Sequence, residues 1–268
     1  MTASATPILI VGAGRMGGAL IAGWRRAGAV SPAELMLRDP HPGPDALEAQ
    51  AAGALLNPPD NELSRAKTVL LAVKPQLWRD ATAQIAPHLA AEAAVISILA
   101  GVSAGDISAA LGGRAVARVM PTTAAAIGKG VFSVFAPDAG LRRRVRDLFA
   151  PLGVVVDLPD EALMHAATGA SGSAPAYLYA FIEALEAAAA AAGLAPDAAR
   201  SLARSTIAGA AAQRDLSGED PAELRRQVTS PGGTTAAALE VLMGEGGFPD
   251  LLRRAVAAAA ARSEELGG

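Results

Sequence analysis

The sequence predicts an α/β domain built on a parallel sheet, followed by an all-α domain, and three observations carry that prediction. Short β-branched or Leu-rich runs alternate with helical patterns up to about residue 160. Beyond that point the β-branched runs stop and Ala-rich helical stretches take over. A Gly-rich turn joins the first strand-like run to the first helical segment.

Taken in order, the strand-like runs are PILIVG (7–12), ELMLRD (34–39), TVLLAV (68–73), AVISIL (94–99) and AVARVM (115–120), each bounded by turn residues. Helical patterns lie between them near 15–27, 45–52, 76–90 and 103–111, the alternation expected of a parallel sheet covered by helices. Two further apolar runs, 130–136 and 153–158, flank the helical stretch AGLRRRVRDLFAPL and extend the same sheet. After residue 160 a long helix begins at APAYLY and ends at Gly193. A second starts near Pro196 and Asp197 and runs to about Leu216, with Pro in its first turn. Asp220 caps a third, with Pro221 at the first helical position. A break, VTSPGGTT, then leads to a short helix through Leu242, and a last helix spans Pro249 to about Leu266. The domains are therefore expected at 1–160 and 161–268.

Composition narrows the function. Of 268 residues, 51% are hydrophobic but only 3% aromatic, so the core rests on Ala, Leu, Val and Ile. Small side chains bury little area each, which favours a core shared between subunits. A net charge of −3 offers no electrostatic case for nucleic acid or an anionic membrane. The absence of Cys excludes disulfides, a thiolate nucleophile and thiolate metal sites. His41, His88 and His165 show no metal-ligand spacing, so no metal is expected. No charged N-terminal region precedes a long apolar run, and no stretch reaches transmembrane length uninterrupted; the expectation is a soluble, cytoplasmic protein.

The motifs that could carry chemistry sit at the ends of these elements. Gly12-Ala13-Gly14-Arg15-Met16-Gly17 lies between a strand and a helix, and Asp39 ends the next strand about 20 residues on. That context makes it a dinucleotide fingerprint: a tight turn, close approach to a pyrophosphate, and a helix N-terminus facing phosphates. Asp39 could accept hydrogen bonds from the adenosine ribose, favouring NAD, whereas Arg38 could pair with a 2′-phosphate, favouring NADP, or point into solvent. Lys74-Pro75 ends the third strand on the edge where open sheets bind ligands; a solvated strand-end Lys is the alternative. SILAGVS and RVMPTTA end the next two strands on that edge. In TGASGSAPAYLY the Gly and Ser residues are expected to form a loop, with Ser171 or Ser173 as helix cap or beside substrate. No His or acid is spaced for a catalytic triad, which argues against a serine hydrolase. In SPGGTT, Gly232 and Gly233 free backbone amides and Thr234 or Thr235 starts a helix. Such a terminus is an anion site that would suit a carboxylate, or an ordinary loop with a Thr cap.

In order, VGAGRMGGALIAG, AVKPQ, SILAGVS, RVMPTTA, TGASGSAPAYLYAFIEAL and VTSPGGTTAAALEVL resemble the pyrroline-5-carboxylate reductase family nearly end to end. The resemblance implies an α/β Rossmann-type N-terminal domain followed by an all-α C-terminal dimerisation domain. It also implies dimers, commonly assembled into decamers, and the last step of proline synthesis with NADPH, NADH being the alternative. By fingerprint and resemblance together, cofactor contacts are expected from Gly12, Gly14, Arg15, Met16, Gly17, Arg38, Asp39, Ala72, Lys74, Pro75, Ala100, Gly101, Met120 and Thr122. Substrate contacts are expected from Ser171, Ser230, Gly232, Gly233 and Thr234, with Thr235 catalytic. Two departures stand out: Thr122 occupies the family's usual Asn position, and Arg38-Asp39-Pro40 replaces the Asn-Arg-Ser or Asn-Arg-Thr of many members. A β-hydroxyacid dehydrogenase shares the plan but needs a catalytic Lys in its first long helix, and no Lys follows Lys129. A reductase of other cyclic imines is set apart only by SPGGTT, and a non-catalytic nucleotide-binding protein would have no need of that loop.

Overall fold

The computed structural model describes residues 5–266. Its first element is an eight-stranded sheet of β1 (Ile8–Val11), β2 (Leu35–Arg38), β3 (Leu55–Leu56), β4 (Thr68–Leu71), β5 (Ala94–Ser97), β6 (Val116–Pro121), β7 (Gly130–Phe135) and β8 (Gly153–Asp157). The spatial order is β3-β2-β1-β4-β5-β6-β7-β8. Helices α1 (Arg15–Ala27), α2 (Pro44–Ala51), α3 (Trp78–Ile85), α4 (Ala104–Ala110) and α5 (Ala139–Phe149) lie between the strands in sequence. After the first strand the chain winds outward through β2 and β3, then returns to place β4 on the other side of β1. That reversal makes the C-terminal ends of β1 and β4 a topological switch point, where open α/β sheets bind ligands.

Strand β1 shows why the apolar runs are continuous. Ile8 and Ile10 enter one core layer with Trp24, Leu37, Leu70 and Phe149, while Leu9 and Val11 enter the other with Trp78, Ile85 and Val95. Successive side chains alternate between faces, and both faces are covered, so every position must be apolar. Three aromatic rings cluster in the first layer: Phe149 stands 6.0 Å from Trp24 and 5.0 Å from Phe132 between ring centroids. The Trp24 indole N–H donates to the Leu148 carbonyl at 2.7 Å, satisfying its one polar atom inside the core.

Several boundaries differ from expectation for physical reasons. The helix expected at 76–90 is a 3₁₀ turn (Pro75–Leu77), α3, and a second 3₁₀ turn (Ala86–His88); Pro87 lacks an N–H and cannot continue α3. Strand β3 is two residues long, too short for a periodic pattern, and pairs only with the edge of β2. Strand β7 joins the sheet as expected but runs antiparallel to β6. The connection, residues 122–129, is shorter than the dozen or so residues a parallel crossover needs.

Among the described residues after 160 all regular structure is helical: α6 (Leu163–Ala167), a π-helical turn (Thr168–Gly172), α7 (Ala174–Ala191), α8 (Pro196–Ser217), α9 (Pro221–Gln227), α10 (Thr234–Met243) and α11 (Phe248–Glu265). The Asp220 side chain accepts from the Ala222 N–H, and Gly193 takes a φ of 101°, so the sequence-marked cap and stop both form. By compactness the described chain forms two units, one of residues up to Gly172 together with those from Ala258, the other Ser173–Ala257. Met164 is buried in that first unit, and its neighbour His165 meets the buried Ser263 of α11, Nδ1 to Oγ 3.1 Å. In the second unit α7 packs against α8, the Arg204–Glu186 pair joins them at 2.6 Å, and Phe181 meets Phe248 edge-on at 5.6 Å.

Candidate active site

The turn after β1 separates the roles of its three glycines. Gly12 has a φ of +97°, and a Cβ there would lie 2.7 Å from the backbone carbonyl of Ala72. It is needed for the turn and for the close approach of β1 and β4. A Cβ on Gly17 would collide with the Gly12 carbonyl oxygen, so Gly17 lets α1 pack onto the turn. Gly14 is different: it is exposed, and an added Cβ would meet nothing within 4 Å. The protein itself gives no reason for glycine there, whereas a pyrophosphate approaching the backbone would. Gly14 is also the N-cap of α1, with no side-chain cap and no acidic residue in the first turn. The residues therefore fit a dinucleotide: uncapped amides, the positive end of a helix, and open space above them. Arg15 is exposed and Met16 half-buried at the start of α1.

At the end of β2 the structure answers the Arg38 and Asp39 question in a way neither reading anticipated. Asp39 Oδ2 accepts from the Ala13 N–H at 2.6 Å and Oδ1 from the His41 N–H at 2.7 Å, so its carboxylate braces the Gly-rich turn. Arg38 does not point into solvent: one terminal nitrogen donates to the Pro58 carbonyl at 3.1 Å and the other pairs with Asp60 at 2.8 Å. The segment that holds both comes from beyond β3. Asn57, in the left-handed region at φ 48°, exchanges hydrogen bonds of 2.9 Å with the Asp39 backbone in both directions. Sequence reading missed Asn57 and Asp60. The Asn-Pro-Pro-Asp turn was the available signal, since Asn tolerates that backbone and hydrogen-bonds nearby main chain.

The remaining cofactor candidates share the same sheet edge. Ala72 follows β4 and faces Gly12; Lys74 is exposed at the start of the 3₁₀ turn that opens with Pro75. Ala100 and Gly101, half-buried, follow β5, with Gly101 at φ +82°. Met120 and Thr122 stand at the end of β6, both buried. The Thr122 hydroxyl accepts from the Val131 N–H at 3.0 Å while its own N–H donates to the Val131 carbonyl at 3.1 Å. Its side chain thus locks β6 to β7, a structural task that accounts for the hydroxyl without a ligand.

Residues 168–172 are not the loop expected from their Gly and Ser content. They continue the helix as a π-helical turn between α6 and α7. The Thr168 and Ser171 hydroxyls each donate to a carbonyl four residues back, Met164 and Ala167, at 2.8 Å, which ties these side chains to a helical backbone. Ser173 takes the N-cap position of α7 in helical conformation and makes no capping hydrogen bond, so neither serine is a cap. Helix widening of this kind is frequent at functional sites. A Cβ on Gly172 would lie 3.1 Å from the Met120 sulfur, so glycine there admits Met120.

In the second unit the SPGGTT break forms a turn closed by Gly233 N–H to Ser230 carbonyl at 3.1 Å, with Gly232 at φ +69°. Gly233 is the N-cap of α10 and no side chain caps the helix, which overturns the Thr-cap alternative. The first internal bond runs from the Ala237 N–H to the Gly233 carbonyl. The amides of Thr234, Thr235 and Ala236 are therefore the unpaired first-turn donors. Ser230 is exposed, its hydroxyl seated where a Cβ on Gly233 would fall, and Thr235 is half-buried.

A dinucleotide turn at a switch point, joined to a separate helical unit with an uncapped helix start, defines a nicotinamide-dependent oxidoreductase of the Rossmann class. Residues 161–266 match the family model described as pyrroline-5-carboxylate reductase dimerisation, and residues 7–101 match one described as NADP oxidoreductase, coenzyme F420-dependent. The chain is 37% identical to a pyrroline-5-carboxylate reductase of Pisum sativum, covering 96% of this chain and 94% of that one. It is 38% identical to one of Synechocystis sp. over 96% and 97% of the two chains. Among solved structures, a pyrroline-5-carboxylate reductase of Coxiella burnetii superposes with a TM-score of 0.88 at 28% identity, covering 98% and 99%. One of Plasmodium falciparum with NADP bound gives 0.84 at 27%, covering 98% of each chain. The chain belongs to the pyrroline-5-carboxylate reductase family.

Proposed function

We infer that this protein reduces 1-pyrroline-5-carboxylate to L-proline with NADPH, the last step of proline biosynthesis. The observation that carries the reading is the start of α10, a helix end with unpaired amides, no side-chain cap and no acidic residue in its first turn. A small carboxylate can be held there without Lys or Arg, by the aligned dipoles and N–H groups of one turn. The other unit carries the turn that fits a dinucleotide.

NADPH, when bound, supplies a hydride from the nicotinamide C4, and the substrate takes up one proton, so a C=N bond becomes C–H and N–H. A protonated cyclic imine is already electrophilic, so the chain's task is to orient it and exclude water. In this proposal the amides from Gly232 to Thr235 hold the carboxylate, with Ser230 and Ser171 as further substrate contacts. The Thr235 hydroxyl lies near the ring nitrogen and polarises it or donates a proton. Residues 1–160 hold the cofactor and 161–268 the substrate and a second subunit.

Oligomerisation through the helical unit has a physical basis in this chain. Of residues 173–257 only Ala199 and Ala203 are buried, while Tyr179 (62%), Leu202 (55%), Val228 (65%) and Val241 (77%) are exposed. Helices with so little core of their own must cover apolar surface against another copy. Assembly of dimers into decamers is part of the proposal and is tested by light scattering. So is a cytoplasmic location, tested by cell fractionation; no helix among the described residues is long and apolar enough to cross a membrane.

The deciding experiment is cofactor oxidation by purified protein with pyrroline-5-carboxylate, run in parallel with NADPH and NADH. Rapid turnover establishes the reductase. Cofactor binding without turnover overturns it in favour of another imine or a non-catalytic role.

A further inference from the structure

We propose that Asp60 sets the discrimination between NADPH and NADH by holding and neutralising Arg38. This rests on reading the Gly12–Gly17 turn as the dinucleotide site. With the pyrophosphate over that turn, the adenosine ribose falls at the C-terminal end of β2, the strand beside β1. Arg38 is the last residue of β2, and its carbonyl accepts from the Gly12 N–H at 2.9 Å, so it stands at the correct place for a 2′-phosphate.

Asp39, the acid expected to read the ribose, also braces the turn, each of its oxygens accepting one main-chain N–H, from residues 13 and 41. The residue that opposes a phosphate is Asp60. One of its oxygens lies 2.8 Å from an Arg38 terminal nitrogen, and the other 3.6 Å from His88 Nε2. The second Arg38 terminal nitrogen is drawn the same way, to the Pro58 carbonyl at 3.1 Å. A 2′-phosphate must compete with Asp60 for the same guanidinium and approach a carboxylate while doing so. Asp60 therefore lowers the gain that Arg38 would otherwise give to the phosphorylated nucleotide. Asp60 is half exposed at the first position of a 3₁₀ turn, so Asp60→Asn removes the charge while keeping the shape and the carbonyl acceptor.

The test compares dissociation constants by calorimetry for NADP⁺ against NAD⁺ and for 2′,5′-ADP against ADP. The proteins are the unsubstituted chain, Asp60→Asn, Arg38→Gln and the double variant. Asp60→Asn is expected to tighten the two 2′-phosphorylated ligands about three- to tenfold, with less than about a twofold change for NAD⁺ and ADP. The gain should vanish in the Arg38→Gln background and shrink as salt rises from low ionic strength toward physiological values. An equal shift for both ligand classes, no shift, or a gain that survives loss of Arg38 overturns the assignment. If the unsubstituted chain binds none of the four ligands, the dinucleotide reading itself falls and Asp60's role with it.

Discussion

Gly14→Ala separates ligand-driven from fold-driven glycine more sharply than any other change in the chain. The residue sits at φ −72° and ψ −152°, extended backbone that alanine can adopt, and its new methyl would meet no atom within 4 Å. Replacing Gly by Ala where the backbone permits it restricts the unfolded chain and stabilises by about 0.4–1 kcal/mol. For a chain of this size that raises Tm by about 1–4 °C. The same methyl occupies the space a pyrophosphate needs, so NADP⁺ affinity should fall at least about tenfold, or ~1.4 kcal/mol. The assay is a thermal melt without ligand, paired with calorimetric titration of NADP⁺. Gly12→Ala is the contrast: at φ +97°, with its methyl 2.7 Å from the Ala72 backbone, it should lower Tm whatever happens to binding. A Gly14→Ala protein that melts no lower and binds NADP⁺ normally would refute the placement of the pyrophosphate. One that unfolds would refute the claim of open space.

Thr235→Ala should lower kcat about ten- to a hundredfold with an unchanged melt, as expected for loss of one hydrogen bond to a charged group, and Thr235→Ser should recover most of it; unchanged kinetics would remove Thr235 from the mechanism. Gly233→Ala would drive a methyl into the Ser230 hydroxyl and disturb the turn before α10. Its KM for the imino acid should rise several-fold while NADP⁺ affinity, read by calorimetry, stays constant. Trp24→Phe strands the Leu148 carbonyl inside the core and should cost about 1–3 kcal/mol in denaturant melts. Val241→Glu places a charge on an exposed apolar position of the helical unit. Sedimentation should show dimers giving way to monomers, and an unchanged oligomer would place the interface elsewhere.

Much of this was legible because short stretches decide it. Gly193 ends α7 in positive φ, and Asp220-Pro221 starts α9, because caps and stops depend on residues within one turn of each other. The Gly12–Gly17 turn was readable for the same reason: strand, glycines and helix are contiguous. So was the uncapped start of α10, although the sequence left a Thr cap as an open alternative.

What escaped depends on partners distant in the chain. Arg38 and Asp39 were read for the ligand each could meet, yet their neighbours are Asn57, Pro58 and Asp60, which approach only because β3 pairs beside β2. Thr122 was read for a cofactor contact, and its hydroxyl also accepts from the Val131 amide of the opposite strand. One case turned on near partners instead: the Gly and Ser content of 168–172 suggested a loop, but the Thr168 and Ser171 hydroxyls bond carbonyls four residues back along a helical backbone. The chemical repertoire of the protein, a dinucleotide turn and an amide-rich helix start, is written in local sequence because backbone conformation responds to adjacent residues. Which polar side chains remain for a ligand was settled by packing, because a carboxylate or guanidinium bonds the partner that the folded chain brings nearest, and no local pattern names that partner.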